Sequence, residues 1–265
     1  MYLFAHIDNI YTGKVNTMDL NQFFKENNKV AVAFSGGVDS SYLLYAAVKA
    51  CAQVTAYYVN AAFQPQFELD DAIRLAAEVG AEMKVLEADV LSCEDVVKNP
   101  SNRCYYCKQQ VFGNIWKAAR EDGYNVLLDG TNASDDVADR PGMKALKELT
   151  VKSPLRECGL TKAMVRELSK EAGLFTWDKP SYACLATRIP AGTRITKEAL
   201  EITEKAEGFM ASKGYSDFRI RMTTDGSAKI QLKEAQLSKL MAEREEILKE
   251  LKKYYKAVTL DLEVR

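Results

Sequence analysis

The stretch KVAVAFSGGVDSS, residues 29–41, decides the fold of this 265-residue chain. Its first six residues are short, β-rich and followed at once by serine and glycine, which predicts a buried strand. Apolar residues at helical spacing then predict a helix over residues 39–51. The sequence therefore predicts a tight strand-to-helix turn at Gly36 and Gly37.

This turn has the properties of an anion site. Its two glycines let the backbone turn tightly and approach a ligand closely. The helix N-terminus behind it offers unpaired N–H groups and a partial positive charge. Hydroxyl groups come from Ser35, Ser40 and Ser41, and Asp39 is suited to cap the helix or to hold Mg²⁺. The spacing and lysine of an ordinary P-loop are absent, so a different phosphate loop is predicted.

The rest of the chain shows two different orders of predicted secondary structure. Up to about residue 190, predicted strands alternate with predicted helices. The strands are expected at 54–59, 82–87, 125–129 and, in a short form, 151–154, and the helices at 67–79 and 108–121. This alternation predicts an α/β fold with a parallel sheet and helices on both faces. Beyond about residue 190, a helix (196–213), two strands (217–222 and 227–232), a long charged helix (233–253) and a strand (257–263) predict a small α+β domain. We expect a first domain over residues 1–185 and a second over 186–265.

A further turn, Gly130-Thr131-Asn132, follows the strand predicted at residues 125–129. It falls at the carboxyl edge of the predicted sheet, where ligands bind in parallel α/β folds. We therefore expect it to face the same ligand as the glycine turn.

Bulk properties narrow the class of protein. The net charge of −1 provides no basic field for a nucleic-acid backbone. No apolar run approaches the roughly 20 residues that span a bilayer. The N-terminus lacks the pattern of a signal peptide, so a cytosolic protein without a membrane partner is expected. In that compartment six cysteines are not expected to form a disulfide framework.

Two stretches of the sequence contain cysteines whose surroundings predict reactive or metal-binding thiols. In RCYYCK, residues 103–108, Cys104 and Cys107 open a helix, and the flanking bases are expected to lower the thiol pKa. Thiolates at this spacing can share a metal or an iron–sulfur cluster, but a zinc site would need two more ligands and His6 is the only histidine. Cys184 lies between two prolines in KPSYACLATRIP, residues 179–190, at the predicted domain junction. The remaining cysteines are expected to fill apolar space.

Together these motifs resemble a known family. SGGVDSS resembles the PP-loop of the ATP pyrophosphatase superfamily, whose fold is HUP-like. The order SGGVDSS, NRCYYCK, DGTNASD and KPSYACLATRIP resembles the LarE family over nearly the whole chain. The resemblance implies that a carboxylate of pyridinium-3,5-biscarboxylic acid mononucleotide is adenylated by ATP, with Mg²⁺, and converted to a thiocarboxylate for nickel-pincer cofactor synthesis. It also suggests a homo-oligomer.

The resemblance assigns roles to individual residues. ATP-binding roles fall on Ala33, Phe34, Ser35, Gly36, Gly37, Asp39, Ser40, Ser41, Asn60, Gly130, Thr131 and Asn132. Substrate-binding roles fall on Arg188, Glu207, Arg219 and Arg221. In one branch of the family a cysteine at the position of Cys184 gives up its own sulfur; in another, three cysteines hold a 4Fe–4S cluster. Having Cys104, Cys107 and Cys184, this chain resembles the second branch.

Three other functions are compatible with the loop. An ammonia-using amide synthetase, of the NAD or GMP synthetase kind, would use the adenylate identically but has no need of three thiols. A tRNA-thiolating PP-loop enzyme also uses three cysteines and a cluster in some cases, but the near-zero net charge counts against a nucleic-acid partner. The third is an ATP-binding module without catalytic activity, which the pyrophosphatase loop disfavours.

Overall fold

The computed structural model of the chain describes residues 19–136 and 141–263. His6 lies outside them. The first part of the chain contains α1 (Leu20–Glu26), β1 (Lys29–Ala33), α2 (Val38–Lys49), β2 (Gln53–Asn60), α3 (Gln66–Val79), β3 (Glu82–Glu87), α4 (Glu94–Val97), α5 (Arg103–Glu121), β4 (Leu127–Leu128), α6 (Pro141–Glu148), α7 (Pro154–Glu157) and α8 (Lys162–Glu171). The second part contains α9 (Lys197–Ser212), β5 (Arg219–Met222), β6 (Ala228–Gln231), α10 (Leu237–Ala242), α11 (Arg244–Leu251) and β7 (Val258–Leu260). Short 3₁₀ turns lie at Val90–Ser92, Phe175–Asp178, Leu185–Arg188 and Glu234–Gln236.

The larger sheet is parallel, with the strand order β3-β2-β1-β4. Its central strand β1 pairs with β2 on one side and with β4 on the other. Side chains of β1 alternate between two apolar clusters: Val30 and Val32 pack into one and Ala31 into the other. Because all three are fully buried, β1 is covered on both faces. The predicted α/β fold is confirmed.

Different helices cover the two faces. The cluster on one face takes apolar residues from α1, α2, α3 and α8. The cluster on the other takes them from α5, α6 and the segment that carries Cys184. The strand predicted at residues 151–154 is reduced to one bridge between Lys152 and Leu128, because Pro154 already begins α7.

The second part of the chain forms a three-stranded mixed sheet of order β5-β6-β7. Apolar residues of α9, α10 and α11 pack against it in a third cluster, which confirms the predicted α+β unit. The single helix predicted over residues 233–253 is wrong, because the chain leaves the helical conformation at Glu243 (φ −98°, ψ 7°). There the Glu243 carboxylate accepts a hydrogen bond from the Tyr215 hydroxyl. The division at residues 185 and 186 stays a prediction.

Within the part of the chain that the structure describes, no helix combines the length and the apolar character needed to cross a membrane.

Candidate active site

The glycine turn joins β1 to α2 in the predicted way. Gly36 has a φ of +69°, a conformation that glycine adopts without strain. Gly37 is extended and begins α2 without a side-chain cap, so the first turn of the helix keeps its amides for another partner. The hydroxyl groups of Ser35 and Ser40 lie 3.1 Å apart across the turn. Ser41 is fully buried, and its hydroxyl has no hydrogen-bond partner among the described residues.

The second predicted turn packs directly on this helix start. A Cβ atom at Gly130 would lie 2.8 Å from the backbone nitrogen of Ser40, so only glycine fits there without displacement. The Asn132 amide donates to Asp39 Oδ1 over 3.3 Å, and Thr131 donates to Asp129. The two turns therefore form one surface, as the sequence predicted.

A lysine that the sequence motifs did not single out also reaches this surface. Lys162 forms an ion pair with the Asp39 carboxylate. It is the first residue of α8, whose N-cap Thr161 accepts a hydrogen bond from the Met164 amide. A cation in the first turn opposes the helix dipole, and this mismatch is the sequence signal that marks Lys162 as functional.

A second lysine was missed in the same way. Lys179 lies 2.7 Å from Asp71 and 3.4 Å from Glu68, with 13% of its side chain exposed. Its ammonium group also donates to the carbonyl oxygen of Gly36. Lys179 thereby ties α3 to the glycine turn and supports its shape, although Cys184 and Arg188 were the residues predicted from this stretch.

The glycine turn and Cys184 line one cavity of about 350 Å³. Predicted ATP-binding residues that line it are Ala33, Phe34, Ser35, Gly37 and Asp39. Aromatic residues at the end of β2 add an apolar wall suited to a nucleobase, and Lys162 and Lys179 add cations. Ser40, Gly130 and Thr131 line a second cavity of about 510 Å³, together with Cys104, and this cavity shares Ala33, Ser35, Gly37 and Asp39 with the first. Asn60 lines neither cavity and donates to Glu87 instead.

The three predicted cysteines lie around these cavities. Cys104 is exposed in the first turn of α5, and Cys107 and Cys184 pack partly buried against the same apolar cluster. Burial, with smaller contributions from the neighbouring thiols of Cys184 and Cys104, raises the pKa of Cys107 to about 12. Burial also raises the pKa of the Cys184 thiol. The expectation that the flanking bases lower these values is wrong for Cys107, because burial outweighs the attraction of Arg103.

The three cysteines lie near one another, but a preformed metal site also requires their sulfur atoms to point at a common centre. Among residues 19–136 and 141–263, no group of three or more histidine, cysteine or acidic side chains is arranged to hold a metal ion. Cys104 and Cys184 both contribute to the raised pKa of Cys107, and Cys104 contributes to that of Cys184, so the three thiols lie in one neighbourhood without forming a closed ligand set.

The predicted substrate residues divide into two groups. Arg188 is 1% exposed and pairs with Glu207 through two contacts of 2.8 and 3.0 Å. Glu207 also accepts a hydrogen bond of 2.5 Å from the Tyr182 hydroxyl. Arg188 and Glu207 thus hold the residues around Cys184. Arg221 lines a cavity of about 520 Å³ between the small sheet and the start of α5, whereas Arg219 is not among the lining residues.

Comparison with known proteins places these features in a family. The family model described as a PP-loop domain matches residues 12–137. A protein of Lactiplantibacillus plantarum, named pyridinium-3,5-bisthiocarboxylic acid mononucleotide synthase, is 32% identical over 241 residues, which cover 90% of this chain and 87% of that protein. The chain belongs to the LarE family of PP-loop ATP-dependent sulfur transferases.

Other relatives show how far the similarity extends. An uncharacterised Synechocystis protein is 35% identical over 251 residues, covering 92% of each chain, so the sequence similarity spans both parts of the molecule. The tRNA-specific 2-thiouridylase MnmA of a Thermotoga species is 26% identical over 144 residues, covering only 45% of this chain and 40% of that protein.

Chemically, this LarE-family site brings together three kinds of group. The glycine turn and Lys162 offer amides and a cation, the groups that suit a polyphosphate. Asp39 offers carboxylate oxygens, the type of ligand that Mg²⁺ prefers. Cys184 brings a sulfur atom into the cavity that the glycine turn lines.

Proposed function

We propose that this chain is an ATP-dependent sulfur transferase that converts a carboxylate of pyridinium-3,5-biscarboxylic acid mononucleotide to a thiocarboxylate, for nickel-pincer cofactor synthesis. The observation that carries the proposal is the shared cavity of Cys184 and the PP-loop residues Ser35, Gly37 and Asp39. A site for activation by ATP and a candidate sulfur group thus lie within one volume. The name of the Lactiplantibacillus relative supports the substrate class.

In the first step a substrate carboxylate oxygen attacks the α-phosphorus of ATP. The bond from that phosphorus to the bridging oxygen breaks, pyrophosphate leaves, and an acyl-adenylate remains. Negative charge increases on the departing pyrophosphate, where the amides of the α2 N-terminus and the Lys162 ammonium group stabilise it. Bound Mg²⁺, for which Asp39 is the candidate ligand, would neutralise phosphate charge.

In the second step a sulfur nucleophile attacks the acyl carbon and AMP leaves as the thiocarboxylate forms. Apolar packing around Cys184 limits water and so protects the adenylate from hydrolysis. Three thiols are a suitable donor set for the 4Fe–4S cluster of the three-cysteine branch, with Cys104, Cys107 and Cys184 as its ligands. The described residues do not form a closed metal site in advance.

We further propose that the cavity of about 520 Å³ between the small sheet and the start of α5 binds the substrate's phosphate. Arg221 and Lys229 line it from the small sheet, and Arg103 and Cys104 line it from α5. Arg188 lines it too, while its ion pair with Glu207 keeps the cavity wall in place. Arginine and lysine together favour an anionic group over a neutral one. A role for Arg219 in the same binding stays a prediction.

The adenylation step is tested by the nucleotide products. Incubation with ATP, Mg²⁺ and pyridinium-3,5-biscarboxylic acid mononucleotide should give AMP and pyrophosphate in equal amounts, measured by anion-exchange chromatography. Nicotinic acid mononucleotide, which has only one ring carboxylate, serves as the matched control substrate and should give less AMP. Formation of ADP in place of AMP contradicts the proposal, and stimulation by tRNA alone would assign a different substrate.

The source of the sulfur is tested on the protein itself. If a cluster delivers it, anaerobically reconstituted protein should bind iron and sulfide, and its polypeptide mass should be unchanged after turnover. Cys104→Ala should then lose the iron, while Cys51→Ala, at an exposed position after α2, should keep it. Loss of one H₂S from Cys184 during turnover would instead show that this cysteine is consumed.

A further inference from the structure

A buried asparagine between α4 and α5 connects the two cysteine-bearing segments. Asn99 is 1% exposed and has a φ of +54°. A buried side-chain amide is stable only when its donors and acceptor are satisfied, so its partners show which parts of the chain it joins.

On one side Asn99 holds the segment that follows Cys184. Its side-chain nitrogen donates to the carbonyl oxygens of Pro190 over 2.8 Å and of Ile189 over 3.3 Å. Its main-chain carbonyl accepts from the Gly192 amide over 2.8 Å. Three contacts thus fix residues 189–192 to this one residue.

On the other side Asn99 holds the start of the CxxC helix. Its side-chain oxygen accepts a hydrogen bond from the guanidinium group of Arg103, which directly precedes Cys104. The same guanidinium nitrogen donates to the carbonyl oxygen of Ala186 over 3.1 Å. Arg103 is 8% exposed, so this link is shielded from water.

We propose that Asn99 is a positioning residue that sets the location of Cys104 and Cys107 relative to Cys184. Its amide binds one segment through the nitrogen and the other through the oxygen, and no side chain of another type offers both at this length. The geometric claim does not depend on the proposed function. Its consequence, that sulfur transfer needs this alignment, rests on that function.

Asn99→Gly removes the amide while preserving the backbone, because glycine adopts a positive φ without strain. The matched control is Thr150→Gly, at an exposed residue with a φ of +56°. Reduced, metal-free protein is treated with dibromobimane, a short thiol cross-linker, and the joined cysteines are identified by peptide mass spectrometry. The wild type should join Cys184 to a cysteine of the CxxC pair. In Asn99→Gly this rate should fall about fivefold, the factor that corresponds to one net hydrogen bond.

The comparison separates positioning from general stability. Thr150→Gly should cross-link as the wild type does, and thermal unfolding of all three proteins is measured alongside. A wild-type cross-linking rate in Asn99→Gly overturns the proposal. If that variant does not fold, Arg103→Lys replaces it. A lysine keeps the charge but lacks the rigid planar guanidinium group that places one nitrogen within reach of both acceptors. A wild-type cross-linking rate in Arg103→Lys would also overturn the proposal.

The same proteins distinguish the two proposals. A wild-type protein that cross-links as expected but releases no AMP contradicts the proposed function and leaves the role of Asn99 standing. Normal AMP release with the loss of both cross-linking and thiocarboxylate in Asn99→Gly supports both.

Discussion

Replacing Gly130 by alanine should raise the KM for ATP at least about fivefold, because its Cβ atom would meet backbone and not a movable side chain. That atom would lie 2.8 Å from the Ser40 nitrogen and 3.3 Å from the Asp39 carbonyl carbon. Relieving an overpacked contact of this kind costs about 1–3 kcal/mol. The simplest relief moves the β4 turn away from the α2 N-terminus and thereby separates Asn132 from Asp39. ATP titration calorimetry and AMP-release kinetics measure the effect.

Gly113→Ala is the matched control for this substitution. Gly113 lies within α5, and a Cβ atom there would meet nothing within 4 Å. Alanine in a helix interior is favoured over glycine by roughly 0.5–1 kcal/mol, so the control should bind ATP normally and unfold at the same or a higher temperature. Unchanged ATP affinity in Gly130→Ala would show that the close approach of the two turns is not needed for binding.

The PP-loop could be predicted from the sequence because its signals are local. A buried strand, two glycines and an amphipathic helix follow one another within residues 29–51, and each obeys short-range rules. The meeting of the second turn with the first followed from topology, since carboxyl ends of parallel strands share one sheet edge. The structure places Gly130 against Ser40, as that rule requires.

The electrostatic state of the cysteines could not be predicted in the same way. Neighbours in sequence suggested a lowered thiol pKa at Cys107, but burial is a tertiary property and it raises that pKa to about 12. The break at Glu243 also depends on tertiary contact with Tyr215, because no glycine or proline marks it.

Paired charges posed a related problem. Arg188 and Glu207 were both predicted to bind substrate, and each has the chemistry for it. In the structure they bind each other, 19 positions apart in the chain, below the surface. Sequence alone does not distinguish a cationic side chain that is available to bind a ligand from one that is already paired with an acidic side chain of the protein. Lys162 and Lys179 show the opposite case: the sequence motifs did not single them out, but both reach the PP-loop from remote segments of the chain.

Lys162→Met should lower kcat/KM for adenylate formation by about 10²–10³, corresponding to roughly 2.7–4 kcal/mol of lost stabilisation of the departing pyrophosphate. The unfolding temperature should change little. Loss of the ion pair with Asp39 is offset by removal of a cation from the first turn of α8, which is worth about 0.3–1 kcal/mol. Lys162→Arg should recover part of the rate. The rate of AMP release at ATP concentrations well below KM measures kcat/KM for each variant.

The matched control is Lys170→Met in the last turn of the same helix, where the exposed ammonium group lies over the Trp177 ring, away from the PP-loop. It should react at the wild-type rate. A further comparison tests whether Lys162 and Asp39 act on one group. If both engage the triphosphate, Asp39→Asn combined with Lys162→Met should cost less than the sum of the two single changes. Additive losses would show that the two residues act independently, and a wild-type rate in Lys162→Met would remove Lys162 from the reaction.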